Sequence, residues 1–393
     1  MSKLLMVSFD AVPSDEWAGL CAHPNIAAFA ARARVTLDVQ SVFPTNTYPV
    51  HCSVITGRQP CDHGVIGNTE PFPKRHPRWV TDAAAIRSKT LWQAAREQGL
   101  TVASVLWPCT GFAREIRWNV PELPPRPGQN QLLANLRAGS KLLQAGLFLK
   151  YGKMLKGVDQ PGLDAFVTAC AADLLRRKNP DLTLVHLTAY DTLCHRYGRG
   201  AAELSTAFEA LDQNLGILLK AAGPDVGVIV FSDHAQLNVH SARTPNDLLV
   251  ELGLLNRGET ENEPYAPGAF GCFIECCGGS AFFHAGSLSG GKIALVREKI
   301  AASDGFLRFL TEEELRSSGR GDLAFGYGLR EGYIAEASPE AHKGNHGYPL
   351  DMPDYTVFYA AMGDGLTPGE RGSGGSLLGI APLAAQMLGI HWP

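Results

Sequence analysis

The stretch Leu4-Leu5-Met6-Val7-Ser8-Phe9-Asp10 is an almost unbroken apolar run that ends at a carboxylate. Similar runs occupy residues 101–106, 182–187, 226–231 and 355–360. Near-continuous hydrophobicity, rather than alternation with polar residues, is typical of parallel strands that are covered on both faces. We therefore interpret these runs as buried strands of one sheet.

Helical patterns lie between these runs, at residues 25–34, 91–98, 162–177 and 201–222. A last helix is predicted from Ile380 to about Leu388, with Gly389 as its stop. Alternation of strand and helix predicts an α/β protein with a doubly wound, mostly parallel central sheet flanked by helices.

Two regions interrupt the alternation and are interpreted as insertions, at about residues 121–160 and 251–336. The first is rich in Pro and Gly and leads into a basic stretch. The second mixes short strand-like and helical segments, which predicts a smaller inserted subdomain. Polar residues that follow predicted strands occur on both sides of these regions, so we expect one domain over residues 1–393.

Composition narrows the range of partners. Lys and Arg total 35 against 39 Asp and Glu, for a formal net charge of -4, so no nucleic-acid polymer is expected. No apolar stretch reaches the length of a membrane span. The N-terminal apolar run is too short for a signal peptide, and the nine cysteines are interpreted as reduced thiols, so a cytoplasmic location is expected.

Three carboxylates stand near predicted strand ends. Asp10 and Asp233 directly follow strands, and Asp191 comes after a short loop. The carboxyl ends of parallel strands share one edge of the sheet, where ligands bind. A single Asp in such a place is more often a helix cap or a turn residue. Together the three residues predict a polar site at this edge.

Three histidines accompany these carboxylates. His195 lies four residues after Asp191, so the two share a face of a helical turn and can hold one ion. His234 adjoins Asp233, and His346 lies in a glycine-flanked loop. Carboxylate and imidazole both suit Zn²⁺. The set predicts two neighbouring zinc ions, or other divalent metals.

Thr47 precedes a predicted helix that starts at Tyr48 and runs through Thr56. A helix start presents N–H groups and positive dipole to a ligand, and a hydroxyl beside metal ions can become a nucleophile. The alternative is that Thr47 only caps the helix. Asn68 could donate its amide hydrogens to a phosphoryl oxygen. These features favour hydrolysis at a phosphorus centre.

Several motifs resemble those of the nucleotide pyrophosphatase/phosphodiesterase family of the alkaline phosphatase superfamily. The nucleophile motif is similar to residues 43–51, Phe-Pro-Thr-Asn-Thr-Tyr-Pro-Val-His, continued by Thr56-Gly57 and residues 63–68. Ligand motifs resemble residues 191–195, 232–234 and 344–347, and Trp107-Pro108 resembles a Trp-Pro after a core strand. The chain departs from the family pattern at Val50, Cys52 and Ala235-Gln236, and none of these changes removes a ligand.

The resemblance implies an alkaline-phosphatase-like catalytic domain and a role for each site residue. One zinc would be held by Asp191, His195 and His346, and the other by Asp10, Asp233, His234 and the Thr47 oxygen. Thr47 would form a covalent phospho-threonine ester, and Asn68 would stabilise the non-bridging oxygen. Tyr48 would stack on a nucleoside, and Trp107 would contribute to substrate binding. The expected substrate is a small phosphodiester or nucleotide.

Two alternatives remain open at this point. A phosphonoacetate hydrolase-like enzyme would cleave a C–P bond with the same ligand set, and Arg58, Lys74 or Lys343 could then bind the substrate carboxylate. A non-catalytic homologue would bind zinc without turnover. A strict phosphomonoesterase is disfavoured, because no arginine adjoins Thr47 to clamp a dianion.

Overall fold

A computed structural model describes residues 3–337 and 342–392, in which the chain forms fourteen α-helices and seventeen strands. The strands are β1 (Lys3–Phe9), β2 (Arg34–Val39), β3 (Val102–Val105), β4 (Trp118–Val120), β5 (Leu182–Leu187), β6 (Val226–Phe231), β7 (Leu237–Arg243), β8 (Asn256–Thr260), β9 (Glu263–Ala266), β10 (Phe273–Cys277), β11 (Ser280–His284), β12 (Phe306–Phe309), β13 (Leu323–Leu329), β14 (Gly332–Ala335), β15 (Gly344–Asn345), β16 (Val357–Met362) and β17 (Arg371–Ser373). The helices are α1 (Trp17–Leu20), α2 (Pro24–Ala30), α3 (Thr47–Thr56), α4 (Pro60–His63), α5 (Leu91–Glu97), α6 (Gln131–Ala138), α7 (Lys141–Tyr151), α8 (Gly162–Lys178), α9 (Ala189–Tyr197), α10 (Leu204–Ala222), α11 (Pro245–Glu251), α12 (Gly290–Ala301), α13 (Glu312–Ser317) and α14 (Ile380–Leu388).

The central sheet has eight strands in the order β17-β2-β16-β6-β1-β5-β3-β4. Strand β1 lies in the middle and pairs in parallel with β5 and β6. Only β16 runs antiparallel to its neighbours β2 and β6 among the described strands of this sheet. The predicted α/β class with a mostly parallel central sheet is confirmed.

Helices cover both faces of this sheet, which explains the apolar runs. In β1, Leu5, Val7 and Phe9 join a core that contains residues of α2, α8, α9 and α10. Leu4 and Met6 join a second core with residues of α3, α5 and α14. Because successive strand residues point to opposite faces, a strand between two helical layers is apolar at almost every position.

A second, antiparallel sheet has the order β10-β11-β13-β12, with its own apolar core that includes Val296 and Ile300 of α12. It falls within the predicted insertion at 251–336 and accords with a smaller inserted subdomain. Three short strands, in the order β14-β7-β15, form a further sheet. The insertion at 121–160 contains α6 and α7. The division into one domain with two insertions stays a prediction.

The structure corrects three local predictions. The helix predicted at 25–34 ends at Ala30, and the next residues form β2, an unpredicted strand. The strand predicted at 355–360 occupies Val357–Met362 and is antiparallel, because a strand buried on both faces has the same composition in either direction. Thr47 is the first residue of α3 rather than its cap, and Asn46 is the N-cap.

All nine cysteines are unpaired, in agreement with the expectation of free thiols. Within the described parts of the chain, no helix combines the length and the apolar character needed to cross a bilayer. The expected cytoplasmic location is not tested by either observation and stays a prediction.

Candidate active site

The carboxyl ends of the central strands bring the predicted aspartates together. Asp10 follows β1 and donates its backbone N–H to the Leu187 carbonyl at the end of β5, at 2.9 Å. The next residue, Ala11, has a φ of 65°. In this left-handed conformation its N–H donates to Asp233 Oδ1 at 3.1 Å. The chain turn after β1 therefore joins two of the predicted ligands directly.

One group of potential ligands consists of Asp191, His195 and His346, whose ligand atoms all lie within 4.8 Å of one another. Asp191 and His195 lie on α9, and Asp191 Oδ1 is 3.3 Å from His195 Nε2. His195 Nδ1 donates to the Gly344 carbonyl at 2.8 Å, which leaves Nε2 free to bind a metal.

A second group surrounds His234. Its Nε2 atom lies 3.2 Å from Thr47 Oγ1, 3.5 Å from Asp10 Oδ1 and 3.4 Å from Asp233 Oδ2. Ligand atoms of Asp10, Asp191 and His234 also lie within 4.8 Å of one another. Asp191 thus belongs to both groups, so the two potential metal sites adjoin. The structure brings together all seven predicted metal-binding residues, while the division of ligands between two ions stays a prediction.

Two buried carboxylate oxygens in this cluster have no hydrogen-bond partner among the described residues, Asp10 Oδ1 and Asp233 Oδ2. Buried polar atoms without partners are costly and rare in native proteins. Both oxygens lie within 3.5 Å of His234 Nε2. A cation bound between them would remove this cost, and the mixed carboxylate and imidazole donors suit zinc. The residues therefore fit a divalent metal.

The electrostatics of the cluster also favour cations. Burial raises the pKa of Asp10 well above its usual range, and the charges of Asp233 and Asp191 raise it further. Burial alone would raise the pKa of Asp191, but the neighbouring imidazoles, chiefly His195, bring it well below the ordinary value. Burial, followed by the two other histidines, lowers the pKa of His346, which keeps its imidazole in the neutral form that binds metals.

Helix α3 places the predicted nucleophile at its first residue. All ten residues of α3 are buried, so the helix has a fixed position under the site. Asn68 Oδ1 accepts a hydrogen bond from the Tyr48 N–H at 2.8 Å. The oxygen of this amide is therefore used at the helix start, and its NH₂ group is the part that can donate to a ligand.

The structure places both predicted substrate-binding aromatics in the interior. Tyr48 and Trp107 are each 0% exposed. The Tyr48 ring packs on Trp79 at a centroid distance of 5.2 Å, and the Trp107 ring packs on His51 at 5.0 Å. Neither ring offers a free face, so direct stacking on a substrate would require movement. Their substrate-binding role stays a prediction without support from their burial.

Two residues that the sequence reasoning missed form a chain of hydrogen bonds behind Asp10. His186 Nε2 lies 3.0 Å from Asp10 Oδ2, and His186 Nδ1 lies 3.1 Å from Glu122 Oε2. His186 is fully buried inside β5. A group that orients a ligand in this way raises metal affinity without contacting the metal. The signal in the sequence was a histidine within an otherwise apolar strand.

We expect His186→Phe to weaken zinc binding by about 10-fold to 100-fold, the usual cost of losing such a partner. The change removes the bond that fixes Asp10 Oδ2. Competition with a chromophoric chelator measures the affinity. The control is His391→Phe, at an exposed histidine near the C-terminus. Equal affinities of His186→Phe and the native protein would contradict the role of His186.

Two further residues missed by the sequence reasoning support α9. Asp164 accepts hydrogen bonds from the N–H groups of Thr188 and Ala189, both at 2.9 Å, and so fixes the helix start. Gln236 Nε2 donates to Asp191 Oδ1 at 2.6 Å. The residue after Ala235, which departs from the family pattern, therefore orients a predicted ligand.

Comparison with known proteins gives a consistent result. Residues 4–284 match the family model described as type I phosphodiesterase / nucleotide pyrophosphatase. Venom phosphodiesterase 2 of Crotalus adamanteus is 23% identical over 258 residues, covering 62% of this chain and 28% of that protein. Human ectonucleotide pyrophosphatase/phosphodiesterase family member 1 is 23% identical over 236 residues, covering 56% of this chain and 21% of that protein. The matches thus span about a quarter of these relatives' length.

Solved structures share the fold. Murine ectonucleotide pyrophosphatase / phosphodiesterase 5, as an inactive threonine-to-alanine variant in complex with AMP, superimposes with a TM-score of 0.72 at 16% identity. The human protein of the same name gives a TM-score of 0.71 at 16% identity. In both cases the match covers 100% of this chain and 96% of the other.

Proposed function

We propose, from the premise that the chain belongs to the type I phosphodiesterase / nucleotide pyrophosphatase family, that it is a two-zinc hydrolase of phosphodiester or pyrophosphate bonds. It would act through a covalent phospho-threonine formed on Thr47. The family assignment rests on more than half of the chain, whereas the metal ions, their number and the nucleophile are our proposal.

The observation that carries the proposal is the position of the Thr47 hydroxyl. Its oxygen lies 3.2 Å from His234 Nε2, the same atom that the unpaired oxygens of Asp10 and Asp233 approach. Thr47 also begins a ten-residue helix, whose positive end faces the cluster. A threonine that served only to start the helix would not need this contact with potential metal ligands.

In the proposed reaction, the Thr47 oxygen attacks phosphorus as the bond to the leaving oxygen breaks, and the leaving group takes a proton from solvent. Water then attacks the phospho-threonine, which releases a phosphomonoester and restores the hydroxyl. The Asn68 NH₂ group donates to a non-bridging oxygen in both steps. Bound zinc ions would lower the pKa of the hydroxyl and stabilise charge on the entering and leaving oxygens.

The phosphonoacetate alternative gains no support from the cations proposed for it. Lys74 lines the cleft beside Asn68, but its Nζ pairs with Glu263 Oε1 at 3.1 Å. Arg58 follows the opposite end of α3, roughly 15 Å from Thr47 at 1.5 Å per residue. Lys343 is exposed. A nucleotide substrate agrees better with the AMP bound in the murine structure.

The test compares turnover of bis(4-nitrophenyl) phosphate and 4-nitrophenyl phosphate by zinc-loaded protein. We expect kcat/KM for the diester to exceed that for the monoester by about 10-fold to 100-fold, because a second phosphate charge has no arginine clamp beside Thr47 and an unpaired charged group costs about 1.5–3 kcal/mol. Preference for the monoester, or release of phosphate from phosphonoacetate at a higher rate, would overturn the assignment.

A further inference from the structure

A large apolar cavity lies between the insertion at 121–160 and the central domain. Its volume is about 680 Å³. The insertion contributes mostly aliphatic and aromatic side chains, among them Leu132, Leu136, Leu147 and Phe148. This volume falls in the range of about 300–1,000 Å³ that holds one small molecule. The cavity is therefore large enough for a ligand group and too small for several chains.

The cavity reaches the candidate active site at two places. Thr188 and Thr192 of α9 line it, and they flank the predicted ligand Asp191. Trp79 also lines it, and its ring packs on Tyr48, the residue after Thr47. A molecule with its phosphorus at Thr47 can thus extend an attached group into the cavity.

The lining of the cavity selects against a charged or strongly polar guest. Glu122 is the one charged residue in the described lining, and its Oε2 atom already bonds His186 Nδ1. Gln144 donates to the Asn135 carbonyl at 2.7 Å, and Thr188 Oγ1 accepts from Gln160 at 2.7 Å. These polar groups are occupied within the protein, so the cavity offers a guest mainly apolar contact.

The rim of the cavity exposes apolar side chains to solvent. Leu132 is 48% exposed, Phe148 47% and Val158 55%. Contiguous exposed apolar surface on a monomer commonly marks a ligand or interaction site. Exposure at the mouth of an apolar cavity indicates that an apolar chain can enter there and cover both surfaces.

We propose that this cavity holds the alkyl or acyl chain of a single-chain lipid phosphodiester, whose phosphorus lies at Thr47. The proposal rests on the proposed function, since it assigns the substrate class of that site. It commits to one chain because the volume suits one, and to an apolar chain because no lysine or arginine lines the described cavity.

Binding tests the cavity separately from catalysis. Zinc-loaded Thr47→Ala protein is titrated calorimetrically with dodecylphosphocholine and octylphosphocholine, each kept below its micelle concentration. The longer chain should bind about 100-fold more tightly, since each buried methylene contributes about 0.8 kcal/mol. Absence of binding, or equal affinity for both chains, would overturn the proposal.

A matched pair of substitutions locates the chain. Leu132→Asp puts a charge at the rim of the cavity and should weaken dodecylphosphocholine binding at least about tenfold. The control, Leu149→Asp, changes an 84% exposed leucine outside the cavity lining and should keep the affinity within about twofold. Equal losses in both variants would place the chain elsewhere. Both proteins are first checked for native circular dichroism and zinc content.

Turnover separates the two proposals. The native zinc-loaded protein is given dodecyl and methyl 4-nitrophenyl phosphodiesters, and Leu132→Asp should lower the dodecyl-to-methyl ratio of kcat/KM. If dodecylphosphocholine binds but neither ester is cleaved, the proposed function fails and the chain site stands. If both esters are cleaved alike and nothing binds, the chain site fails. Repeating the titration with phosphatidylcholine vesicles that carry the probe shows whether the chain arrives from a bilayer or from water, and binding in either form supports the cavity.

Discussion

We expect Thr47→Ala to lower kcat for a nitrophenyl phosphodiester by about 10³-fold or more, because loss of a covalent nucleophile removes the main reaction path. Thr47→Ser should keep measurable activity, since it retains a hydroxyl at the same place. The fold should be little affected. Asn46, not Thr47, is the N-cap of α3, and the Thr47 side chain contacts the ligand cluster rather than the helix backbone.

The covalent step can be observed directly. Acid quenching during turnover, followed by proteolysis and mass spectrometry, should recover phosphate on the peptide that contains Thr47. The matched control is Thr56→Ala, at the last residue of the same helix, where the hydroxyl donates to the Cys52 carbonyl at 2.6 Å. That variant should keep near-native kcat. Full activity of Thr47→Ala, with no phosphopeptide from the native protein, would refute the nucleophile.

Removal of metal is the second large effect. A strong chelator should abolish turnover, and excess zinc should restore it. Without cations, three buried carboxylates repel one another, and this repulsion adds to burial in raising the pKa of Asp10. Zinc at 1,000 times its Kd stabilises the folded state by about 4 kcal/mol. Calorimetry should therefore show a lower Tm after chelation, by several degrees.

Ligand substitutions give this experiment its controls. Asp191 belongs to both groups of potential ligands, so Asp191→Asn should reduce the zinc content measured by mass spectrometry from two ions per chain. Asp173→Asn removes a carboxylate that bonds Lys150 and Tyr151 instead, and the zinc content should not change. Unchanged activity in a chelated sample shown to be free of metal would exclude the two-zinc proposal.

The sequence predicted those strands whose pattern depends on burial alone. The runs at 182–187 and 226–231 coincide with β5 and β6, because both faces of these strands contact helices. Strand β2 was missed because its exposed and polar positions, such as Asp38, interrupt the apolar run and it follows directly on a short helix. Strand β13 was missed because Gly326 and Gly328 weaken its strand pattern.

The site residues divide in a similar way. Residues at strand ends, such as Asp10 and Asp233, were predictable because the topology of a parallel sheet brings its carboxyl ends together. Glu122 was not, since only the three-dimensional fold brings it within 3.1 Å of His186. Gln236 was noted only as a departure from the family pattern. Its bond to Asp191 depends on the path of the loop after β6, which sequence spacing does not determine.

Glu122 has a further consequence, because its carboxylate forms part of the cavity wall and also ends the hydrogen-bond chain to Asp10. A guest in the cavity displaces water from this carboxylate and so strengthens its hold on His186. The change reaches the oxygen that Asp10 presents to a cation. Occupancy of the cavity and affinity for the ion are then coupled, and thermodynamics requires each to alter the other by the same factor.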